Sequence, residues 1–236
     1  VTVYSVLLLV AAVMSGAITV LAWSRRQASE AVPFALLMLA VTEWTLSYVL
    51  ELESIGLSGK IFWVKVQYLG IVFVPVAWFA FCLVYTGRDR WLALHNLALL
   101  CVVPLVVVAL MWTNPAHHLM MKDVRLVDAG ATSVLRISRG EAFWVHITYA
   151  YALLLSGTGM LFREYLRSGT AYRRQARLLL VAALFPWAGN LAHIFGQRVL
   201  FHLDFTSFLF TLSGILVFWA LFRSQFLDLL PVARNT

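Results

Sequence analysis

Residues 61–86 read IFWVKVQYLGIVFVPVAWFAFCLVYT, and Lys65 is the only charged residue in this run. A helix needs about 20 apolar residues to cross the roughly 30 Å hydrocarbon core of a bilayer. This run is long enough to tilt or to extend past the membrane surface. Pro75 does not argue against a helix, because neighbouring groups in a membrane protein can satisfy the carbonyl that a proline frees. We therefore predict a membrane-spanning helix here.

Six further runs of similar character precede or follow this stretch. Apolar residues make up 62% of the 236 residues and the mean hydropathy is +0.85, too much apolar surface for a soluble domain of this size. The seven predicted spans are 3–23, 32–51, 61–86, 92–112, 142–162, 177–196 and 204–222. The sequence predicts an all-α, seven-transmembrane helix bundle over residues 1–230, and residues 231–236 are expected to begin a linker.

Positive charge is divided unevenly between the two sets of linkers. Eleven basic residues fall on one side: Arg25, Arg26, Arg88, Arg90, Arg163, Arg167, Arg173, Arg174, Arg177, Arg223 and Arg234. Six fall on the other: Lys60, Lys122, Arg125, Arg136, Arg139 and Arg198. Cytoplasmic loops carry the excess of Lys and Arg. We expect a multi-pass protein of the inner (cytoplasmic) membrane with its N-terminus outside. The net charge of +7 therefore indicates how the protein is oriented in the membrane, and does not indicate nucleic-acid binding.

Polar side chains inside the predicted spans are concentrated in the outer half of the bundle. Ionisable groups within a membrane are costly and usually face the bundle interior. The candidate ligand-binding residues are Glu43, Glu51, Lys65, Gln67, Tyr68, His146, Tyr149, Asn190, His193 and Asp204. They favour an outward-opening pocket for a small molecule or an ion, or else a hydrogen-bond network that only fixes helix packing.

The same region contains histidines that could bind a metal ion or a haem. His117, His118, His146 and His193 are the candidate metal ligands, and His146 with His193 could be axial haem ligands, but no diagnostic motif accompanies them. Retinal would need a lysine in the last span, which has none. The cofactor is therefore unknown, with none expected and retinal excluded.

Catalytic motifs are missing from the sequence, which has no nucleophile elbow, no HExxH and no phosphate-binding loop. We therefore expect that this segment is not an enzyme. A small transporter or channel subunit is the alternative class and would need a polar path to the cytoplasmic face. The inner halves of the spans hold few polar groups beyond Ser15, Thr19, Ser156 and Thr158, which favours a receptor.

A series of short motifs, taken in order, resembles the seven-transmembrane N-terminal sensor region of bacterial and archaeal histidine kinases. The series runs through Pro33-Phe34 with Trp44 and Glu51; Phe62-Trp63-Val64-Lys65-Val66-Gln67-Tyr68-Leu69-Gly70 and Pro75; Tyr85-Thr86-Gly87; Pro104; Thr113-Asn114 with His117-His118-Leu119; Phe143-Trp144-Val145-His146 with Tyr149 and Tyr151; Arg174-Gln175-Ala176; Pro186 to Asn190; Asp204-Phe205-Thr206; and Phe222-Arg223 to Leu230-Pro231-Val232-Ala233-Arg234.

The resemblance implies the input part of a two-component signalling receptor. In such receptors a PAS domain, a histidine kinase core or a diguanylate cyclase domain usually follows, and the chain stops where an output linker would start. The resemblance further implies a homodimer that acts on cytoplasmic signalling domains in cis. A small ligand of unknown identity would bind in the outer pocket, and the seventh helix would carry the change inward.

Overall fold

The computed structural model describes residues 2–128, 133–167, 169–196 and 205–227, without the side chains of 128, 170–172, 190–196 and 223–227. The helices and strands, in chain order, are α1 Val3–Ser24, α2 Ala31–Glu53, α3 Gly56–Ile71, α4 Val74–Tyr85, α5 Leu94–Thr113, β1 Met121–Asp128, β2 Ser133–Arg139, α6 Glu141–Arg167, α7 Thr170–Gly196 and α8 Thr206–Leu227. Helix therefore occupies each of the seven predicted runs.

Five helical segments among the described residues are long and apolar enough to cross a membrane. They are Val3–Ser24, Ala31–Glu53, Gly56–Tyr85, Leu94–Ala116 and Glu141–Arg167, and a shorter apolar helix covers Thr206–Phe222. The chain is thus a helical, multi-pass membrane protein. The number of membrane crossings and the side on which each end lies remain predictions from the sequence.

Helix α2 is the central helix of the bundle, and α5 is peripheral. In an apolar 18-residue stretch of α2, 67% of the residues are buried. In the corresponding stretch of Leu94–Ala116, only 17% are buried. Helix α2 packs against α1, α3, α4 and α8, and its buried residues include Phe34, Met38 and Val41. Because α5 leaves most of its leucines and valines uncovered by protein, lipid is the environment that suits its outer face.

The single helix predicted at 61–86 is instead two helices. Helix α3 begins at Gly56, before the predicted start, and ends at Ile71; α4 begins at Val74. Pro75 lies in the first turn of α4, where its missing N–H costs no helical hydrogen bond. Just before this break, α3 lies close against α2. A Cβ atom added to Gly70 would clash with the Ala40 carbonyl oxygen.

A β-hairpin lies in the long linker, so the all-α prediction is wrong in this part of the chain. Strands β1 and β2 are antiparallel, with Val124 opposite Ile137 and Leu126 opposite Leu135. Within β2 the residues 135–138 alternate between apolar and polar, which is the pattern of a strand with one covered face. Asn114 fixes the start of the hairpin, because its Oδ1 accepts hydrogen bonds of 3.0 Å from the backbone N–H groups of both Met120 and Met121.

Candidate functional site

A cavity of about 420 Å³ lies at the end of the bundle that carries the hairpin. We call it the hairpin-end cavity; it is enclosed by parts of α2, α3, α4, α6, α8 and β2. Its volume falls within the range of small-molecule sites in proteins. Aromatic side chains contribute much of its lining, among them Trp44, Tyr48, Phe143, Tyr151 and Phe210. The fold thus places a ligand-sized space where the sequence predicted polar residues.

Four of the predicted ligand-binding residues line this cavity: Glu51, Gln67, Tyr68 and His146. They come from three helices, since Glu51 is on α2, Gln67 and Tyr68 are on α3, and His146 is on α6. Each of the four is buried. These four residues therefore meet at one cavity, and their role in ligand binding stays a prediction.

Glu51 and Gln67 join α2 to α3 beside the cavity. The Gln67 Nε2 group donates a 2.5 Å hydrogen bond to Glu51 Oε2. Next to them lies Lys60, which sequence analysis placed in a linker but which is 1% exposed. Its ammonium group donates to the backbone carbonyls of Glu51 at 2.9 Å and of Leu52 at 3.0 Å. The available signal was a lysine shortly after a helix end, where a cation can bind the last free carbonyls.

His146 and Tyr68 present polar atoms that have no hydrogen-bond partner among the described residues. Their rings lie 6.2 Å apart. His146 is 2% exposed, and its Nδ1 atom has no hydrogen-bond partner among the described residues. Within the same described part of the chain, no group hydrogen-bonds to the Tyr68 hydroxyl. Buried polar groups in proteins are nearly always paired, so these two are poised to bind water or a ligand.

Arg139 also lines the cavity, and sequence analysis did not identify it as a site residue. It is the last residue of β2, and its guanidinium carbon lies 4.5 Å from the centre of the Phe143 ring. Arg139 is close enough to Tyr68 for an electrostatic interaction between the two side chains. No carboxylate among the described residues forms an ion pair with Arg139. The sequence predicts a linker in this region, so it gives no indication that Arg139 faces the bundle.

Three predicted site residues lie elsewhere. Glu43 accepts a 2.8 Å hydrogen bond from Ser47 on its own helix, and its other oxygen lies where a side chain at Gly70 would be. The Lys65 ammonium lies 3.5 Å from the Trp112 carbonyl oxygen and 5.9 Å from the centre of the Trp112 ring. The Tyr149 hydroxyl donates a 2.5 Å hydrogen bond to the Leu100 carbonyl of α5. Each of these side chains faces a neighbouring helix rather than the cavity, because depth in the membrane does not fix the direction in which a residue points.

The remaining predicted residues fall outside the described part of the chain. The side chains of Asn190 and His193 belong to the undescribed end of α7, and Asp204 precedes the described start of α8. Their relation to the cavity therefore stays a prediction.

Metal ligands are not grouped within the described ranges: no cluster of three His, Cys, Asp or Glu side chains there could hold an ion. Of the candidates, His117 uses both ring nitrogens locally, with Nε2 3.1 Å from the Thr113 hydroxyl and Nδ1 accepting from the Leu119 N–H at 3.0 Å. His118 has a left-handed backbone conformation in the same turn. These contacts give the adjacent histidines a role in ordering the turn before the hairpin.

A second, much smaller cavity of about 20 Å³ lies deeper in the bundle. It shares Tyr151, Leu154 and Phe210 with the hairpin-end cavity, so the two spaces are neighbours. Leu37, Val217 and Pro186 are typical of its mostly apolar lining. Its volume is enough for about one water molecule. It is therefore too small to hold the kind of ligand that the hairpin-end cavity could hold.

The fold and the cavity define a polytopic helical membrane protein with a ligand-sized space at one end. Comparison with known families then identifies it further: a family profile described as the N-terminal 7TM region of histidine kinase matches residues 7–231. The chain belongs to this family. The match covers nearly the whole chain and confirms the resemblance drawn from the ordered motifs. It assigns the segment to the sensory part of such kinases rather than to the catalytic part. No curated protein matches the chain.

Proposed function

We propose that this segment is the ligand-sensing input domain of a two-component receptor. A small molecule enters the hairpin-end cavity from outside the cell and binds there. The observation that carries this proposal is the cavity itself: about 420 Å³ with the buried Nδ1 of His146 facing no protein partner among the described residues. A structural network would be expected to satisfy its own polar atoms, whereas a binding site leaves some for the ligand.

Helix α8 is suited to carry the signal toward the cytoplasm. Phe210 on α8 lines the cavity, and Phe222 lies twelve residues further along the same helix, about 18 Å away along its axis. There the guanidinium of Arg25 lies 4.7 Å from the centre of the Phe222 ring. A ligand that changes the packing of Phe210 would therefore move a helix whose far end has defined partners.

Gln175 provides a second connection at that far end. Its Nε2 donates a 3.0 Å hydrogen bond to the Ala220 carbonyl of α8, and its Oε1 accepts from the Tyr85 hydroxyl of α4 at 3.3 Å. Two packings of α8 against α4 and α7 would exchange these contacts. A ligand that binds one packing better by a few kcal/mol shifts the population strongly toward it.

The proposal places the chain in the inner membrane, as a homodimer with cytoplasmic signalling domains in cis. We expect no resident cofactor and no catalytic role for this segment. A transporter is less well supported, because the inner halves of the predicted spans hold few polar groups beyond Ser15, Thr19, Ser156 and Thr158. Haem or metal binding has no cluster of ligands within the described residues to support it.

The test is a ligand screen on the purified chain in lipid nanodiscs, after its absorption spectrum and metal content have been recorded. The matched control is Ala150→Trp. Ala150 is a buried residue of α6 that lines the cavity, so a tryptophan there would fill part of the space that a ligand needs. A true ligand should raise the unfolding temperature of the parent chain but not that of the variant. Compounds that stabilise both proteins equally would count against the cavity as the binding site. A Soret band or a stoichiometric metal would show that the protein binds a haem or a metal ion and not an organic ligand.

A further inference from the structure

Three polar groups of the hairpin-end cavity that have no hydrogen-bond partner among the described residues share one chemical property. The guanidinium of Arg139 and the hydroxyl of Tyr68 are hydrogen-bond donors, and a neutral imidazole can donate through Nδ1 of His146. Arg139 and His146 both lie near Tyr68, the former within electrostatic range and the latter with its ring 6.2 Å away. The group therefore favours a ligand that brings hydrogen-bond acceptors.

The charges of the cavity point in the same direction. Glu51 is the only acidic residue in the described lining, and it already accepts from Gln67 with Lys60 beside it. Arg139 is the only basic residue in that lining and has no acidic partner within the described chain. Arg139 is partly buried. An opposite charge with matching hydrogen bonds stabilises such a cation, and a guanidinium binds a carboxylate or a sulfonate through two parallel bonds.

We infer that the hairpin-end cavity binds a small organic anion, whose acidic group is held by Arg139 and Tyr68 with His146 as a hydrogen-bonding neighbour. The carbon skeleton of the anion lies among the aromatic side chains, including Trp44 and Phe210. This inference rests on the proposed function, since it assigns the chemistry of that same site. Water in the cavity would satisfy the three groups without giving the site a preference for negative charge.

The test measures charge preference directly, so it needs no identified ligand. Cys82 and Cys101, the two native cysteines, are replaced by alanine, and Ala150→Cys introduces a thiol in the cavity. Its rate of reaction is measured with an anionic reagent, 2-sulfonatoethyl methanethiosulfonate, and with a cationic one, 2-trimethylammonioethyl methanethiosulfonate. Ile55→Cys, at a residue that is 97% exposed, gives the reference ratio for an open surface.

We expect the anionic reagent to be favoured at Ala150→Cys by about tenfold over the reference ratio, as one nearby uncompensated charge would produce. Arg139→Gln should remove this preference, and Arg139→Lys should keep it. The matched control is Arg136→Gln, which removes the same charge from an exposed position on the same strand and should leave the ratio unchanged.

The outcomes separate this inference from the proposed function. If neither reagent modifies Ala150→Cys while both modify Ile55→Cys, the cavity does not open outward, and the proposed function and this inference both fail. If both reagents enter without a preference for the anion, or if Arg136→Gln changes the ratio as much as Arg139→Gln does, the cavity stands as a site but its assignment to organic anions is wrong.

Discussion

Gln67 on α3 donates a 2.5 Å hydrogen bond to Glu51 on α2, and both side chains are 6% exposed. This pair holds together two helices that form one side of the cavity. Hydrogen bonds to charged groups contribute about 1.5–3 kcal/mol, and removing one partner leaves a buried carboxylate less well solvated. We therefore expect the bond between Glu51 and Gln67 to fix the shape of the site.

Gln67→Leu should reduce the free energy of unfolding by about 2 kcal/mol, because Glu51 loses a buried donor. The measurement is equilibrium unfolding in mixed micelles. Thr148→Val is the control, since the Thr148 hydroxyl is exposed and bonds only to the carbonyl of Trp144 on its own helix. Equal losses in the two variants would mean that the Glu51–Gln67 bond has no special weight.

His146→Leu should behave in the opposite way. A buried Nδ1 without a partner costs free energy in the ligand-free protein, so an apolar side chain of similar size should leave stability unchanged or raise it. The same unfolding assay, without added ligand, checks this. A loss of about 2 kcal/mol, as expected for Gln67→Leu, would instead make His146 part of a packing network and would weaken the case for a binding site.

Gly70→Ala should destabilise the contact between α2 and α3. The added Cβ would clash with the Ala40 carbonyl oxygen and with Glu43 Oε2, so the helices must move apart at a cost of about 1–3 kcal/mol. Gly159→Ala on α6 is the control, because a Cβ there meets nothing within 4 Å. That variant should be neutral or slightly stabilising, since alanine favours helix more than glycine does. A neutral Gly70→Ala would show that the two helices are not packed this closely.

Lys60→Met should lower stability by about 2 kcal/mol, since the carbonyls of Glu51 and Leu52 would lose their shared donor at the end of α2. Lys122→Met is the matched control: Lys122 pairs with Glu141, but both side chains are more than half exposed. Exposed ion pairs contribute little, so thermal unfolding should shift much less for this variant. Similar shifts for the two lysines would contradict the buried capping role of Lys60.

The positions of the helices could be predicted from the sequence, because each apolar run is long and bounded by charged or glycine-containing linkers. The hairpin is harder to predict, since apolar and polar residues alternate only over the four residues 135–138, at the lower limit for a strand signal. Arg139 was missed for the same reason. The break between Ile71 and Val74 begins four residues before Pro75, whose missing N–H leaves the Ile71 carbonyl without its helical donor, but the sequence alone does not show whether such a proline breaks a membrane helix or is tolerated within it.

The site residues show how far depth alone can guide a prediction. His146 and Ala150 are four residues apart on α6, and both line the cavity. Tyr149, three residues from His146, turns instead to α5 and bonds to Leu100. Three helical residues turn the side chain by about 300°, so i and i+3 positions differ by about 60° around the axis. That difference decides whether a residue faces the cavity, and only packing against neighbours fixes it.

The central claim is that the hairpin-end cavity opens to the outside of the cell. Labelling of Ala150→Cys in intact cells by a membrane-impermeant maleimide, in a background without Cys82 and Cys101, tests it most directly. We predict that Ala150→Cys and the exposed Ile55→Cys are both labelled, while Leu105→Cys, on the apolar outer face of α5, is not. Labelling of Ile55→Cys and Ala150→Cys only after the cells are broken would place the cavity on the cytoplasmic side and contradict the account.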